Sequence, residues 1–339
     1  MPRVSVFMDV EDPVNPAADD AALAVLKVFE EADVRGSFCI TGEKCRTLVS
    51  RGRQDVLDAL RPHCLGLHTD THSFHPTTME LLADAPYEGG CPLALAEESK
   101  GLAAFQMAFP EPLSTFNFPL SNSGRLPAFW GGAGNTWSPE IAFALRELGI
   151  PAFSYSLLRL PGDPVHRFDG VVALPQHLSV SEPEWADDAL AEEASRRVLA
   201  SLTSSKAPWI GIFVGHPTKL RHRDYWDTPY FAGRTPPEPE FVEPLPLEVF
   251  ERSLRNLGSF LARLRSEFEV IGVDALLASP LKFRPPTDSE LDHFRAETPA
   301  WIRGAAKWPV HRAGLSAEGI VEKTLAHASS LEVLASANP

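Results

Sequence analysis

The first apolar run of the chain, residues 4–8, reads Val-Ser-Val-Phe-Met and ends at Asp9-Val10-Glu11-Asp12. That pattern predicts a buried strand delivering acids to its carboxyl end. Ala22, Leu23, Leu26 and Phe29 then recur at helical spacing behind Asp19-Asp20, where acids complement a helix dipole. The alternation continues. Residues 36–42 predict a short strand between glycines, residues 44–60 a helix stopped by Pro62, and residues 65–67 a third strand. Thr77-Thr78-Met79-Glu80 has capping-box spacing and opens a helix; residues 86–92 read as a turn, 94–109 as a helix and 113–118 as a strand. Ser138-Pro139 starts a helix with a stripe of Ile141, Leu145 and Leu148, ended by Gly149. Residues 152–158 and 171–174 predict strands, 187–202 a helix, and 209–215 a strongly apolar strand running into His216-Pro217. Residues 218–246 are polar, proline-rich and aromatic and read as a long loop; 247–264 predict a helix and 268–273 a strand.

Strands alternating with helices predict a parallel α/β architecture, in which chemistry collects at the carboxyl ends of the strands. Asp9, His68, Asn117 and His216 all stand at such ends. From Arg284 the character changes: Pro285-Pro286 reads as a joint, followed by short amphipathic segments such as residues 315–325. The expected organisation is a barrel domain over residues 1–283, containing the 218–246 loop, and a helical extension over 284–339 that frays after Ala328.

Composition narrows the chemistry. The chain has 339 residues, 44% hydrophobic and 22% charged, as a globular protein with an adequate core has. Its 31 Lys+Arg against 45 Asp+Glu give a net charge of −14, which argues against nucleic acid as a partner. No apolar run approaches the ~20 residues that span a bilayer. No basic-plus-apolar leader is seen, so a cytoplasmic location and no membrane partner are expected. Cys39, Cys45, Cys64 and Cys91 lack metal-type spacing and read as reduced, buried thiols, with Cys64 the one nearest the candidate chemistry.

That chemistry centres on His68-Thr69-Asp70-Thr71-His72. In one helical turn or a tight loop, both imidazoles project to one side and can reach one divalent cation, at roughly 2.0–2.1 Å for nitrogen on zinc. Two imidazoles alone make a poor site, so a carboxylate is expected from the acidic cluster after the first strand. Tyr225, Trp226, Tyr230 and Phe231 of the long loop suit either stacking on a sugar ring or packing the loop onto the barrel. His63 and His75 read as structural or rim residues.

The order of these features resembles the polysaccharide deacetylase family, also called the NodB-homology or carbohydrate esterase family 4. His68-Thr69-Asp70-Thr71-His72 is similar to its H-[ST]-x-x-H metal motif. Gly36-Ser37-Phe38-Cys39-Ile40-Thr41-Gly42 resembles its A-T-F-F-x-x-G strand, and Gly215-His216-Pro217 its late histidine. The resemblance covers about residues 4–277. It implies a distorted (β/α)7-type barrel, Asp9 as catalytic base, His216 as general acid, and His68, His72 and either Glu11 or Asp12 on a divalent metal. Zinc leads, with cobalt, nickel or manganese as alternatives.

Departures from the family pattern are equally specific. Its T-F-D-D-G motif is here Met8-Asp9-Val10-Glu11-Asp12-Pro13, with the acids separated. Its F-R-x-P motif is matched by Phe116-Asn117-Phe118-Pro119, so Asn117 replaces an arginine. Asp163 and Asp169 are weak candidates for the carboxylate that orients the late histidine. The expected activity is metal-dependent hydrolysis of a non-peptide C–N bond, first of all N-deacetylation of an acetylated sugar, with Asn117, Trp226 and Tyr230 binding substrate. Two alternatives stand beside it: hydrolysis of a cyclic amide or imide on the same scaffold, and an inactive carbohydrate-binding relative. The expected partner is a small molecule or carbohydrate, with a homo-oligomer left open.

Overall fold

The computed structural model describes residues 2–110, 126–154, 165–231, 233, 234, 236, 238–279, 282–284, 287–304, 317–327 and 331–335. Its strands are β1 (Arg3–Val10), β2 (Ser37–Ile40), β3 (Cys64–Leu67), β4 (Phe129–Gly131), β5 (Ala152–Ser154), β6 (Val165–Phe168), β7 (Val171–Leu174), β8 (Leu178–Ser179), β9 (Trp209–Phe213), β10 (Glu269–Val270), β11 (Lys282–Arg284) and β12 (Leu331–Ala335). They form one curled sheet in the order β11-β12-β6-β7-β5-β4-β3-β2-β1-β9-β8, with β10 parallel to the start of β1. Pairing is parallel from β8 through β9, β1, β2, β3, β4 and β5 to β7, and antiparallel from β7 through β6 and β12 to β11. Among the described residues no pairing joins β8 to β7. The expected distorted α/β barrel is therefore observed as an open, half-closed form.

Helices fill the crossovers: α1 (Pro16–Glu31), α2 (Gly42–Ser50), α3 (Gln54–Leu60), α4 (Thr78–Ala83), α5 (Tyr87–Ala108) and α6 (Pro139–Leu148) follow the early strands. Next come α7 (Glu182–Trp185), α8 (Asp188–Ser204), α9 (Pro217–Arg221), α10 (Thr228–Phe231), α11 (Leu247–Glu267), α12 (Val273–Ala278), α13 (Asp288–Gly304) and α14 (Ala317–His327). The period-2 alternation of β1 sorts its side chains onto two faces. Val4, Val6, Met8 and Val10 join the large core shared with the helices, while Phe7 belongs to a second cluster with Cys39, Phe129 and Trp209. That alternation puts Asp9 on the same face of β1 as Phe7, and Glu11 follows directly after the strand.

Several expected boundaries move, each for a local reason. The single helix over 44–60 is two helices, because Gly52 takes a left-handed φ of 65° between them. The turn expected over 86–92 is the first part of α5, which accommodates Pro92 inside it. The strand expected over 268–273 shrinks to β10, and Gly272 caps α12 directly after it. The expected strand 113–118, with Asn117, and residues 155–158 lie outside the described residues. The tail expected to fray after Ala328 carries β12, which pairs with β6 and β11. Phe294, Ile320 and Val321 are buried in the large core, and Lys323 forms an ion pair with the buried Glu140 on α6. No helix of the described residues is long and apolar enough to cross a membrane.

The loop after β1 rests on a buried ionic support. Lys44 and Asp19, each 1% exposed, pair at 2.5 Å, and the Lys44 ammonium also donates to the Asp12 carbonyl at 2.6 Å. Arg51 adds a bond to the other Asp19 oxygen at 3.0 Å. Severing such a pair leaves an uncompensated buried charge, at a cost of about 3–5 kcal/mol. The backbone presenting the acids is fixed accordingly.

Candidate metal centre

The His68–His72 segment follows β3 as a tight loop, not a helical turn: Thr69 and His72 have φ of 57° and 55°. The amino terminus of α2 holds it, since the backbone N–H groups of Gly42 and Glu43 donate to the carbonyls of Thr69 and Asp70 at 3.0 and 2.8 Å. Gly42 is required by the close approach, because a Cβ there would lie 2.2 Å from Asp70 Oδ1 and 2.9 Å from Gly101 Cα. Arg46 ties Asp70 down at 2.8 Å.

Glu11 meets this loop from β1. Its Oε2 lies 3.0 Å from His68 Nε2 and 3.0 Å from His72 Nε2. The far side of each ring is already fixed. His68 Nδ1 donates to the Gly131 carbonyl at 2.9 Å; His72 Nδ1 donates to Ser73 Oγ at 2.7 Å, whose hydroxyl donates to Asp227 Oδ2 at 2.5 Å. Ligating histidines are characteristically oriented in this way, leaving Nε2 lone pairs for an ion. Burial alone would raise the Glu11 carboxyl, but the neighbouring His72, His216 and His68 imidazoles hold it well below the usual range. Glu11, His68 and His72 thus form a donor set that fits a divalent cation.

Asp9 and His216 stand beside it. Asp9 Oδ2 is 3.8 Å from both His68 Nε2 and His216 Nε2, and His216 Nε2 is 3.9 Å from Glu11 Oε2. His216 is oriented by Glu182, whose Oε1 accepts from both its Nδ1, at 2.6 Å, and its backbone N–H, at 2.9 Å. Burial would depress the His216 imidazole, but Glu11, Glu182 and Asp9 raise it to about 9. Cys39 makes a further grouping with Asp9 and His68. Burial and the Asp9 carboxylate push its thiol well above its ordinary value, and it donates to the Leu67 carbonyl at 3.4 Å.

Two of the expected roles are corrected. Asp12 is turned away: Oδ1 accepts from the Val14 and Asn15 backbone, and Oδ2 from Asn15 Nδ2 and Thr218 Oγ1, so its carboxylate builds the loop. Trp226 is 1% exposed and offers no face to a ligand; its indole N–H donates to Glu11 Oε1 at 3.2 Å. Tyr230 packs edge-on against Phe74 at 4.7 Å, behind Trp226. Of the weak candidates for orienting His216, Asp169 is engaged by Arg146 at 2.7 Å and Asp163 lies outside the described residues. Cys64 is buried at the start of β3, away from the strand ends that carry the site.

Glu182 and Asp227 were not legible as site residues, and Tyr225 was read only as one of the loop aromatics. Glu182 had one available signal, the Ser181-Glu182-Pro183-Glu184 capping box directly after an apolar segment. Tyr225 and Asp227 belong to the long loop and carry no spacing signal.

A further carboxyl lies just behind the site. Glu98 is fully buried on α5 and accepts from the Trp130 indole at 2.7 Å; Oε1 has no partner among the described residues. Burial raises its carboxyl to about 8 from the usual 4.5. The folded state therefore holds this proton between those values while the unfolded chain releases it, so stability falls as pH rises through that window. Glu98→Gln keeps the acceptor for Trp130 and removes the titration. Its thermal stability is expected to match wild type near pH 4.5 and exceed it at pH 8, read by melting across that range.

No protein-family model matches the chain, and none of the curated proteins matches it in sequence. Among solved structures it is similar to a family 4 carbohydrate esterase from Streptomyces lividans in complex with acetate, at 12% identity over 80% of this chain and 91% of that one, TM-score 0.41. It is similar to a family 4 pseudoenzyme from Bacillus anthracis, at 11% identity over 81% and 65% of the two chains, TM-score 0.43. It is also similar to a 4-α-glucanotransferase from Thermococcus litoralis, at 15% identity over 82% and 40%, TM-score 0.49.

Proposed function

We propose that the protein is a metal-dependent hydrolase of a non-peptide C–N bond, acting as an N-deacetylase on an acetylated sugar. The observation that carries this reading is the convergence of Glu11 Oε2 on His68 Nε2 and His72 Nε2, 3.0 Å from each, with Asp9 and His216 alongside. A divalent cation held by Glu11, His68 and His72 would supply Lewis acidity toward water and the amide carbonyl. Asp9, on the inner side of β1, takes the proton of the attacking water. His216, held through Nδ1 by Glu182, presents Nε2 to the leaving nitrogen and gives it a proton. Water is thereby divided between an acid and an amine, and both residues return to their starting states when protons re-equilibrate.

One observation favours a small substrate, and with it the second reading as a cyclic amide or imide hydrolase. Glu11, His68, His72 and Asp9 are all buried, whereas the His216 side chain is 17% exposed. Approach is therefore from the His216 side.

The test is a substrate panel with zinc-loaded protein. Acetate release from acetylated mono- and oligosaccharides is expected; ring opening of cyclic amides without acetate release selects the second reading. Neither product, from protein shown to hold zinc, would refute the hydrolase and leave the inactive carbohydrate-binding relative.

A further inference from the structure

Tyr225, Trp226 and Asp227 are consecutive, and each engages the candidate metal centre. The Tyr225 hydroxyl hydrogen-bonds to Glu11, and its ring packs edge-on against His216 at 5.2 Å. The Trp226 indole N–H donates to Glu11 Oε1 at 3.2 Å, and its ring lies 5.4 Å from His72. Asp227 accepts from Ser73 Oγ, which in turn accepts from His72 Nδ1. Trp226 engages Oε1, while Oε2 faces both imidazoles. The tripeptide fixes which oxygen the carboxylate presents and how the His72 ring is turned.

Outside these residues the segment is held by polar bonds, the His222 N–H donating to the Thr218 carbonyl at 2.8 Å and His75 Nε2 to the Tyr230 carbonyl at 2.9 Å, and by Tyr230 against Phe74. Arg223, Asp224 and Thr228 are exposed on either side of the tripeptide, as are residues 238–241 further on. Among its described side chains, Trp226 is the one large apolar one under 2% exposed. A segment with few buried apolar contacts opens locally at low free energy. Here opening would withdraw Trp226 and Asp227 from Glu11 and His72 together.

We propose that Tyr225-Trp226-Asp227 is a clamp through which metal binding and closure of the segment around residues 222–231 are one linked equilibrium. This rests on the reading of Glu11, His68 and His72 as metal ligands. Trp226 and Asp227 are positioning residues, acting through Glu11 and through Ser73–His72. Linkage is reciprocal: if closure tightens the ion, the ion must hold the segment closed by the same factor.

The test combines chelator competition for zinc with limited trypsin digestion of the full chain. Arg223 and Arg234, with side chains 63% and 59% exposed, are the cleavage points to follow. Zinc is expected to slow cleavage there in the wild-type protein by about the factor it gains from closure. Trp226→Phe, which keeps the ring and loses the donor, and Asp227→Asn are each expected to bind zinc about 10–100-fold more weakly. Zinc protection against trypsin should move to correspondingly higher zinc, while melting in chelator stays near wild type for Trp226→Phe. Wild-type zinc affinity in both variants, or cleavage indifferent to zinc, overturns the clamp alone. No zinc uptake by the wild-type protein overturns the metal assignment and the clamp with it.

Discussion

Glu11→Ala is expected to abolish zinc binding at stoichiometric concentration, with affinity falling by more than the roughly 10–100-fold that losing a supporting group costs. The reason is geometric. Glu11 Oε2 is the atom common to both imidazoles, 3.0 Å from each, and without it His68 and His72 face each other with no anionic ligand between them. The neighbouring acid provides the control. Asp12→Asn disturbs bonds to Val14, Asn15 and Thr218, so it should lower thermal stability and leave one zinc per chain. Metal analysis after desalting reads both. Equal zinc content in Glu11→Ala and wild type would remove Glu11 from the ligand set.

His216→Ala is expected to lower kcat by about 10²–10⁴-fold on whichever substrate the wild-type enzyme accepts, with zinc content unchanged. His216 Nε2 lies 3.8 Å from Asp9 and 3.9 Å from Glu11, close enough for a shared ion, so unchanged zinc content in His216→Ala is the reading that separates a proton donor from a ligand. Glu182→Gln refines the assignment. Glu182 helps raise His216 to about 9, so its neutralisation lowers that value. A general acid works in its protonated form, so the alkaline limb of the rate profile should move to lower pH. Unchanged turnover in His216→Ala, or an alkaline limb that does not move in Glu182→Gln, would contradict the role.

The parts of this picture that were legible in the sequence are those written in periodicity. β1 reads from Val4, Val6 and Met8, and α6 from Ile141, Leu145 and Leu148 between Ser138 and Gly149. The capping box at Thr77–Glu80 forms as its spacing requires. Short or context-dependent elements were not legible. β4, three residues long, has no period to detect, yet its Gly131 carbonyl orients His68. β12 depends on a partner strand far away in sequence. Within the site, His68 and His72 announce themselves by spacing, but the choice between Glu11 and Asp12 turns on which carboxylate the Asn15 and Thr218 side chains claim. Residues such as Trp226, read from their chemistry as a substrate platform, took the other use of a loop aromatic, because a buried indole donor reaching Glu11 requires the fold to close over it.

Zinc-edge anomalous diffraction from crystals of the zinc-loaded protein tests the central claim most directly. The account predicts one anomalous peak per chain, within bonding distance of Glu11 Oε2, His68 Nε2 and His72 Nε2, with His216 outside the coordination sphere. A peak placed elsewhere, or none at these three atoms under saturating zinc, would contradict it.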